Sequence, residues 1–261
     1  MARVCTLFSG SSGNATYIGS SGCGVLVDAG VSAKALFAAL SEQDIDPESI
    51  KALLITHEHR DHMSGLHAVA AKLGIPVFAS RETLTALDNM GVLNKLEIHE
   101  TNGENITVDD MSISRFCTPH DCEGSSGYTV CTPDGRMVGV ATDIGCLTDE
   151  IRGNLLGCDL VVLESNHDVM MLQNGPYPYR LKRRILSDCG HLSNACCSDF
   201  LPSLIESGTT RIVLAHLSRE NNLPAIAQET ARSVLISSGM KENSDYILQV
   251  APPQGGKLIV L

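Results

Sequence analysis

The feature that most constrains this chain is the segment Thr-His-Glu-His-Arg-Asp-His at residues 56–62, which places three imidazoles and two carboxylates within seven residues. It follows the apolar run Lys-Ala-Leu-Leu-Ile at 51–55, which is typical of a buried strand. Burying so many polar groups without a shared partner would cost much free energy. Imidazole and carboxylate together are a standard ligand set for divalent metals, so the segment predicts a metal site.

The spacing within this segment predicts how the ligands are presented. In a chain that stays extended past the strand, His57 and His59 lie on one side, because side chains alternate with a period of two. Asp61 and His62 follow as the chain turns towards a helix that we expect to begin near Ser64. Two pairs of ligands would then point at neighbouring positions. The N-terminus of that helix would add positive potential for an anionic substrate.

Three further candidate ligands come directly after apolar, strand-like runs: His120, Asp143 and His216. Polar residues in loops held by the ends of strands are where active sites tend to lie. Because one cluster cannot hold two metals, we expect these three residues to complete a dinuclear site with the first segment.

Strand-like and helix-like segments are mixed along the chain, which favours sheets packed between helices in one compact α/β domain. The strand-like runs are residues 3–8, 23–29, 51–56, 111–117, 136–142, 159–165, 211–216 and 257–261. The helix-like segments are residues 32–42, 64–74, 80–91, 193–208 and 223–239. Predicted helix starts are Ser64, Ser80 and Ser193, and predicted ends are Gly74, Gly208 and Gly239.

Composition narrows the functional classes. No apolar run approaches the roughly 20 residues that span a bilayer, and the first residues lack a signal-peptide pattern. The 10 cysteines include no Cys-x-x-Cys pair, which favours reduced thiols and a cytoplasmic protein. The net charge of −11 argues against broad, charge-driven attraction to nucleic acid.

The order His-x-His-x-Asp-His, then His, Asp and His after later strands, resembles the metallo-β-lactamase superfamily. That resemblance implies a four-layer αββα sandwich with a dinuclear site. It assigns His57, His59 and His120 to one metal and Asp61, His62 and His216 to the other, with Asp143 bridging them. Asp28 matches an early aspartate that orients ligands, although a turn residue after a strand is the alternative.

A dinuclear site suits hydrolysis of β-lactams, thioesters or phosphodiesters by a metal-activated hydroxide, which Asp61 would help to orient. His59 stands where the di-iron oxygen reductases of the superfamily carry glutamate, so redox chemistry is less favoured.

The segment Asp-Cys-Gly-His-Leu-Ser-Asn at 188–194 narrows the chemistry further. His191 precedes a predicted helix, and Ser193 and Asn194 lie near its N-terminus, where backbone N–H groups bind anions. This segment resembles the histidine and Ser/Thr element of ribonuclease Z-type phosphodiesterases. The resemblance implies that His191 protonates the leaving oxygen and that Glu164 is its acidic partner. A helix cap with an exposed histidine is the alternative.

Other segments supply candidate contacts to phosphate, namely Ser11, Ser12 and Asn14 in a Ser/Gly-rich turn, Arg183 and Arg184 in the basic run 180–184, and Ser218 and Asn221 beyond His216. A flexible turn and a solvated helix face are the alternative explanations of the first two. Two divalent ions would make the local potential positive despite the net charge, so nucleic acid is not excluded.

Together these segments resemble the YycJ/WalJ (VicX) family of metallo-β-lactamase-fold proteins. The resemblance implies a 5′→3′ DNA exonuclease linked to mismatch repair, acting on a 5′-phosphorylated end with two divalent ions. Mn²⁺ and Zn²⁺ are the first candidates and Fe²⁺ the third. Asp143 and His216 are 73 positions apart (216 − 143), too few for an inserted β-CASP domain, so we expect residues 1–261 to form one domain.

Three alternatives remain at this stage. The first is a small-molecule hydrolase acting on a thioester, lactone or cyclic phosphate, which would not need the basic cluster. The second is ribonuclease Z-like RNA processing. The third is a scaffold protein that binds metals only for folding. The sequence indicates neither the oligomeric state nor the native metal.

Overall fold

The computed structural model describes residues 1–20, 22–103 and 105–261. The chain divides into two compact units. The first contains Met1–Phe116, Cys122–Arg136 and Pro252–Leu261, and the second contains Cys117–Asp121 and Met137–Ala251. The prediction that they form one domain stays a prediction.

The first unit is built on a mixed sheet. Its strands are β1 (Arg3–Phe8), β2 (Ala15–Gly19), β3 (Gly24–Val27), β4 (Ile50–Leu54), β5 (Val77–Ala79), β6 (Ile98–Glu100) and β14 (Ile259–Val260). They lie in the order β14-β1-β2-β3-β4-β5-β6. Pairing is antiparallel from β14 to β3 and parallel from β3 to β6. The carboxyl ends of β3 and β4 therefore meet at one edge.

The rest of the first unit consists of helices and shorter strands. The helices are α1 (Ala33–Glu42), α2 (Arg60–Met63), α3 (Leu66–Leu73) and α4 (Arg81–Asn89), with a 3₁₀ turn at Pro47–Ser49. The other strands are β7 (Ile106–Val108), β8 (Met111–Cys117) and β9 (Ser126–Cys131). Strands β7 and β8 form an antiparallel hairpin.

The second unit alternates strands and helices. Its strands are β10 (Met137–Ala141), β11 (Leu160–Glu164), β12 (Arg211–Ala215) and β13 (Ile247–Val250). Its helices are α5 (Asp149–Leu155), α6 (Val169–Asn174), α7 (Tyr179–Ile185), α8 (Asn194–Glu206) and α9 (Pro224–Ser237). The four strands are parallel in the order β13-β12-β11-β10. Every residue of β11 is buried, as expected for a parallel strand covered on both faces.

All eight strand-like runs of the sequence contain a strand, and all five helix-like segments contain a helix. The strands that the pattern missed are short, as in β5 and β6, or interrupt their apolar residues with glycine and hydroxyl residues, as in β2 and β9. Ser80 and Ser193 cap α4 and α8 as predicted. Gly74 ends α3 in a left-handed conformation. No helix among the described residues is long and apolar enough to cross a membrane.

The predicted helix start at Ser64 is wrong. The chain is already helical from Arg60, so Ser64 is the C-cap of the short α2, and α3 begins after Gly65. The break arises because the Gly65 N–H donates to the carbonyl of Ala29 (2.8 Å) instead of continuing the helix. Asp61 and His62 therefore lie on α2 itself. The longer helix α3 begins only at Leu66 and not at Ser64.

Candidate metal centre

In the first unit, the candidate ligands leave the end of β4 on one short loop. His57 and His62 are fully buried, whereas His59 and Asp61 are partly exposed. The ring centroid of His57 is 4.5 Å from that of His59 and 4.1 Å from that of His62. A carboxylate oxygen of Asp61 is 3.6 Å from Nε2 of His62. The structure thus brings these four predicted ligands together.

Asp28 orients this group from the end of β3. It is buried, and its left-handed backbone (φ 64°) turns the chain sharply after the strand. Its Oδ1 accepts the backbone N–H of Thr56 (2.8 Å), and its Oδ2 lies 2.7 Å from Nδ1 of His62. An ionised carboxylate can only accept, so Nδ1 of His62 carries the proton. Nε2 then carries the lone pair, which accepts from the Asn14 amide (2.9 Å) and which a metal would take in place of that bond. The structure thus brings Asp28 to the position that the sequence resemblance implied.

Thr56 is an orienting residue that sequence reasoning missed. Its hydroxyl lies within 3.1 Å of both Asp28 carboxylate oxygens, 3.0 Å from Nδ1 of His57 and 3.1 Å from Nδ1 of His62. The only available signal was a threonine directly before the first histidine.

The Ser/Gly-rich turn lies against this loop. The Asn14 N–H donates to the carbonyl of Asp61 (2.7 Å), and the Gly30 N–H donates to the carbonyl of Asn14 (2.8 Å). A Cβ at Gly30 would lie 1.6 Å from the Asp61 carbonyl oxygen, so only glycine permits this approach. The Asn14 amide faces Nε2 of His62 (2.9 Å) and is buried. Ser11 and Ser12 are exposed in the turn, and their phosphate contacts stay a prediction.

In the second unit, the candidate site residues come from the ends of separate strands. Asp143 follows β10, Glu164 ends β11 and His216 follows β12. One ligand atom from each of Asp143, Glu164, His191 and His216 lies within 4.8 Å of the others. Asp143 and His216 both have a backbone φ of 56°. Residues other than glycine rarely adopt this left-handed conformation, and those that do are concentrated at functional sites.

Glu164 is the orienting residue of this cluster. Its Oε1 accepts Nδ1–H of His191 (2.9 Å) and Nδ1–H of His216 (2.8 Å). Its Oε2 accepts the backbone N–H groups of Ile144 (2.8 Å) and Leu192 (3.2 Å). Both imidazoles therefore present Nε2. The structure places Glu164 in contact with His191, as the sequence resemblance implied, and the catalytic role of the pair stays a prediction.

Electrostatics stabilise the charge of Glu164. Burial alone would raise its pKa, but the His191 ring and the two imidazole hydrogen bonds outweigh burial and lower the pKa. Burial likewise opposes the charge of His191, and the neighbouring Glu164 carboxylate outweighs it, so the pKa of His191 is raised. His191 can therefore carry a proton next to an ionised carboxylate.

His120 joins the same cluster. Its Nε2 lies 3.8 Å from Oδ1 of Asp143 and 3.0 Å from Oδ1 of Asp121. Burial lowers the pKa of His120 and so favours the neutral imidazole that binds metals. Asp121 also forms an ion pair with Arg184, which links the basic helix α7 to this ligand. Sequence reasoning missed Asp121.

The predicted role of Asn194 in phosphate binding needs correction. Asn194 is buried, and its side-chain amide exchanges two hydrogen bonds of 2.9 Å with the side chain of Asn222. It also accepts the Ser165 hydroxyl (2.6 Å). Because these bonds use both ends of the amide, Asn194 is a structural residue. Asn222, which holds it, was not among the predicted site residues.

The remaining candidates differ in exposure. Arg183 and Arg184 are exposed on α7. Ser193 accepts the N–H of Cys196 (3.2 Å) as a helix cap, and Ser218 accepts the N–H of Asn221 (3.2 Å). Asn221 is fully buried. Substrate contacts by these residues stay predictions.

The donor sets of both units fit divalent metals. The first unit offers three imidazoles and a carboxylate on one loop, and the second offers two predicted imidazole ligands beside Asp143. Orienting carboxylates behind metal-binding histidines are typical of metal sites. That all seven ligands hold two ions in one centre stays a prediction.

Comparison with known families and curated proteins supports this chemistry. The family model described as "Beta-lactamase superfamily domain" matches residues 24–217. Exodeoxyribonuclease WalJ of Streptococcus pneumoniae is 36% identical over 244 residues, covering 92% of this chain and 90% of that protein. Exodeoxyribonuclease YycJ of Bacillus anthracis is 35% identical over 250 residues, covering 95% and 94%.

A solved structure agrees on the fold. The metallo-β-lactamase fold protein YhfI of Bacillus subtilis has a TM-score of 0.73, with 14% identity over 100% of both chains. This likeness confirms the predicted metallo-β-lactamase fold.

Proposed function

This chain belongs to the metallo-β-lactamase superfamily and, within it, to the WalJ/YycJ family, and we propose that it is a 5′→3′ exodeoxyribonuclease acting on 5′-phosphorylated DNA ends. The family makes it a metal-dependent nuclease. The polarity, the preference for DNA and the phosphorylated end belong to the proposal. The ten free cysteines further suit a reducing cytoplasm.

We assign the metal ligands to both units. His57, His59 and His120 would hold one divalent ion, Asp61, His62 and His216 would hold the second, and Asp143 would contribute to both, with Mn²⁺ or Zn²⁺ as the first candidates. When bound, such a pair lowers the pKa of water and stabilises negative charge on a phosphodiester. Asp61, which is partly exposed, orients the attacking water.

The observation that carries the proposal is the pair formed by His191 and Glu164. His191 is held by a 2.9 Å hydrogen bond to a fully buried carboxylate, and its own side chain is 18% exposed. It is therefore fixed on one side and open to substrate on the other. A protonated imidazole in that position donates to the leaving oxygen of a cleaved phosphodiester, as a general acid.

The basic helix α7 supplies the contacts to substrate outside the reacting centre. Arg180, Arg183 and Arg184 surround a surface depression together with the exposed Tyr179. Guanidinium groups bind phosphates without regard to sequence. An exposed aromatic ring among them can stack on a base. These features support a nucleic acid rather than a small substrate.

The proposal is tested with a substrate panel. The protein, loaded with Mn²⁺ or Zn²⁺, is offered 3′-labelled duplex and single-stranded DNA with a 5′-phosphate or a 5′-hydroxyl, matching RNAs, and a thioester, a lactone and a cyclic phosphate. We expect stepwise shortening of the DNA from its 5′-phosphate end. Preference for RNA, cleavage from the 3′ end, or turnover of the small substrates alone would reject the proposal.

The role of His191 is tested separately. We expect His191→Ala to keep its metals and to lose about 10²–10⁴-fold in kcat, the usual contribution of a general acid. Metal analysis and kinetics are measured on the same preparations, with Asp143→Asn as the variant expected to lose metal. Loss of metal from His191→Ala would instead make His191 a ligand, and unchanged kcat would remove the acid role.

A further inference from the structure

A cavity of about 480 Å³ lies in the second unit beside His191. Its polar lining includes Arg152, His167, Asp188, His191, Ser193 and Asp199. None of these except His191 and Ser193 was singled out by the sequence. Cavities of roughly 300–1,000 Å³ hold small organic ligands, so this one has the size for a single nucleotide.

His167 gives this cavity its most specific feature. The side chain is almost completely buried, and neither ring nitrogen has a hydrogen-bond partner among the described residues. Its backbone carbonyl accepts the N–H of Asn194 (2.9 Å), which fixes the residue beside the start of α8. Buried polar atoms are normally paired, and an exception calls for an explanation such as a ligand.

The protonation state of His167 defines what it can bind. Burial lowers its pKa to about 4, so the ring is neutral near pH 7. A neutral imidazole offers one N–H donor and one acceptor nitrogen. That combination matches the edge of a nucleobase, which also carries donors and acceptors side by side.

The other walls favour a base over a phosphate. Leu147, Val169 and Leu192 are apolar parts of the lining. Two carboxylates, Asp188 and Asp199, stand at exposed positions, against one cation, Arg152, whose guanidinium lies 4.8 Å from the Phe200 ring. Carboxylates repel a phosphate but accept hydrogen bonds from the amino groups of bases.

We propose that this cavity holds the base of the nucleotide released at each step, with His167 hydrogen-bonded to the base edge. The inference rests on the proposed function. In 5′→3′ hydrolysis, the hydroxide of water bonds to phosphorus, and the bond from phosphorus to O3′ of the terminal nucleotide breaks. O3′ takes the proton of His191, and the proton lost by water restores that of His191. The released nucleotide is therefore the group beside His191.

Binding of products tests the proposal independently of turnover. Isothermal titration of the metal-loaded protein compares dAMP with 2-deoxyribose 5-phosphate, which carries the same phosphate without a base. We expect dAMP to bind about tenfold more tightly or better, since a factor of ten corresponds to one good hydrogen bond. Equal affinity for the two compounds would overturn the proposal.

Two variants place the base in this cavity. His167→Phe fills the site without hydrogen bonds, and the exposed Asp199→Asn changes the lining without affecting the core. We expect each variant to weaken the binding of dAMP by up to about tenfold. The affinity for 2-deoxyribose 5-phosphate should stay unchanged. Glu206→Gln, on the same helix α8 but outside the cavity, is the control. If neither variant changes the affinity for dAMP, the cavity is not a base site.

The two proposals fail in different ways. A protein that cleaves DNA from the 5′ end but binds dAMP no better than the sugar phosphate refutes the cavity alone. A protein that binds dAMP through His167 but degrades no DNA refutes the exonuclease and leaves a nucleotide-binding cavity.

Discussion

The two regions that carry candidate ligands bring their side chains together over different distances in sequence. In the first unit, four candidate ligands lie within six consecutive residues, 57–62, and local chain geometry places them. In the second unit, Asp143 follows β10, Glu164 ends β11 and His216 follows β12, and they meet because these three strands are parallel and in register. The first arrangement depends on a loop, and the second depends on a sheet.

The orienting carboxylates reflect this difference. Asp28 contacts one candidate ligand, His62, together with the neighbouring Thr56. Glu164 accepts from two candidate functional imidazoles, His191 and His216, and from two backbone amides as well. Long-range assembly therefore concentrates more of the site on one buried side chain, and the loss of Glu164 should cost more than the loss of Asp28.

The largest effect is expected from Glu164→Gln. The substituted side chain has a single acceptor oxygen, which would have to serve the two imidazole N–H groups that Oε1 accepts now. Its NH₂ group would face the two backbone N–H groups, which are also donors. Because each orienting partner is typically worth 10–100-fold, we expect kcat/KM to fall by roughly 10³-fold. Steady-state kinetics on 5′-phosphorylated DNA and metal content check this, with the exposed Glu206→Gln as control. Activity within tenfold of the parent would show that the imidazoles hold their positions without Glu164.

A smaller effect is expected from Asp28→Asn. The amide oxygen of the substituted side chain can still accept from Thr56, so only the bond to Nδ1 of His62 is weakened. We expect metal affinity or activity to fall by about 10–100-fold, the usual cost of one orienting partner. Metal titration compares this variant with Asp88→Asn on α4. A loss as large as that of Glu164→Gln would contradict the difference between the two regions.

The sequence predicted the first region and the ligands of the second from local pattern. Buried parallel strands such as β4, β11 and β12 are short apolar runs, and a polar residue at the end of each run stands out. His57, Asp143 and His216 could be named for that reason. The contact of Glu164 with His191 came from the resemblance to ribonuclease Z-type enzymes and not from spacing.

What the sequence did not predict depends on contacts between distant residues. Nothing local shows that Gly65 bonds to Ala29 and so interrupts the helix expected from Ser64. No local sequence feature distinguishes Asn222, which is hydrogen-bonded to Asn194, from the adjacent Asn221. Propensity reflects a residue and its neighbours in sequence. Whether an asparagine side chain is buried depends on hydrogen-bond partners that lie tens of positions away.

This buried network gives the third prediction. Asn222 bonds to the carbonyls of Ser165 (2.9 Å) and Asn166 (3.0 Å), and Asn166 bonds to the carbonyl of His216 (2.8 Å). Asn222→Ala leaves these acceptors and the Asn194 amide without their partner. We expect the free energy of unfolding to fall by about 2 kcal/mol, the cost of buried unsatisfied groups. Urea denaturation compares it with the exposed Asn174→Ala, and equal stability of the two variants would exclude a stabilising role for the network.

The smallest effect is expected from Arg183→Gln, because an exposed phosphate contact acts outside both ligand regions. We expect KM for DNA to rise by a few-fold with kcat unchanged. The slope of log kcat/KM against log salt should fall by about one, as for the loss of one phosphate contact. The control Lys241→Gln removes a charge elsewhere in the second unit and should change neither the KM for DNA nor the salt slope. A drop in kcat would place Arg183 in the reacting centre, and an unchanged salt slope would remove α7 from the path of the DNA.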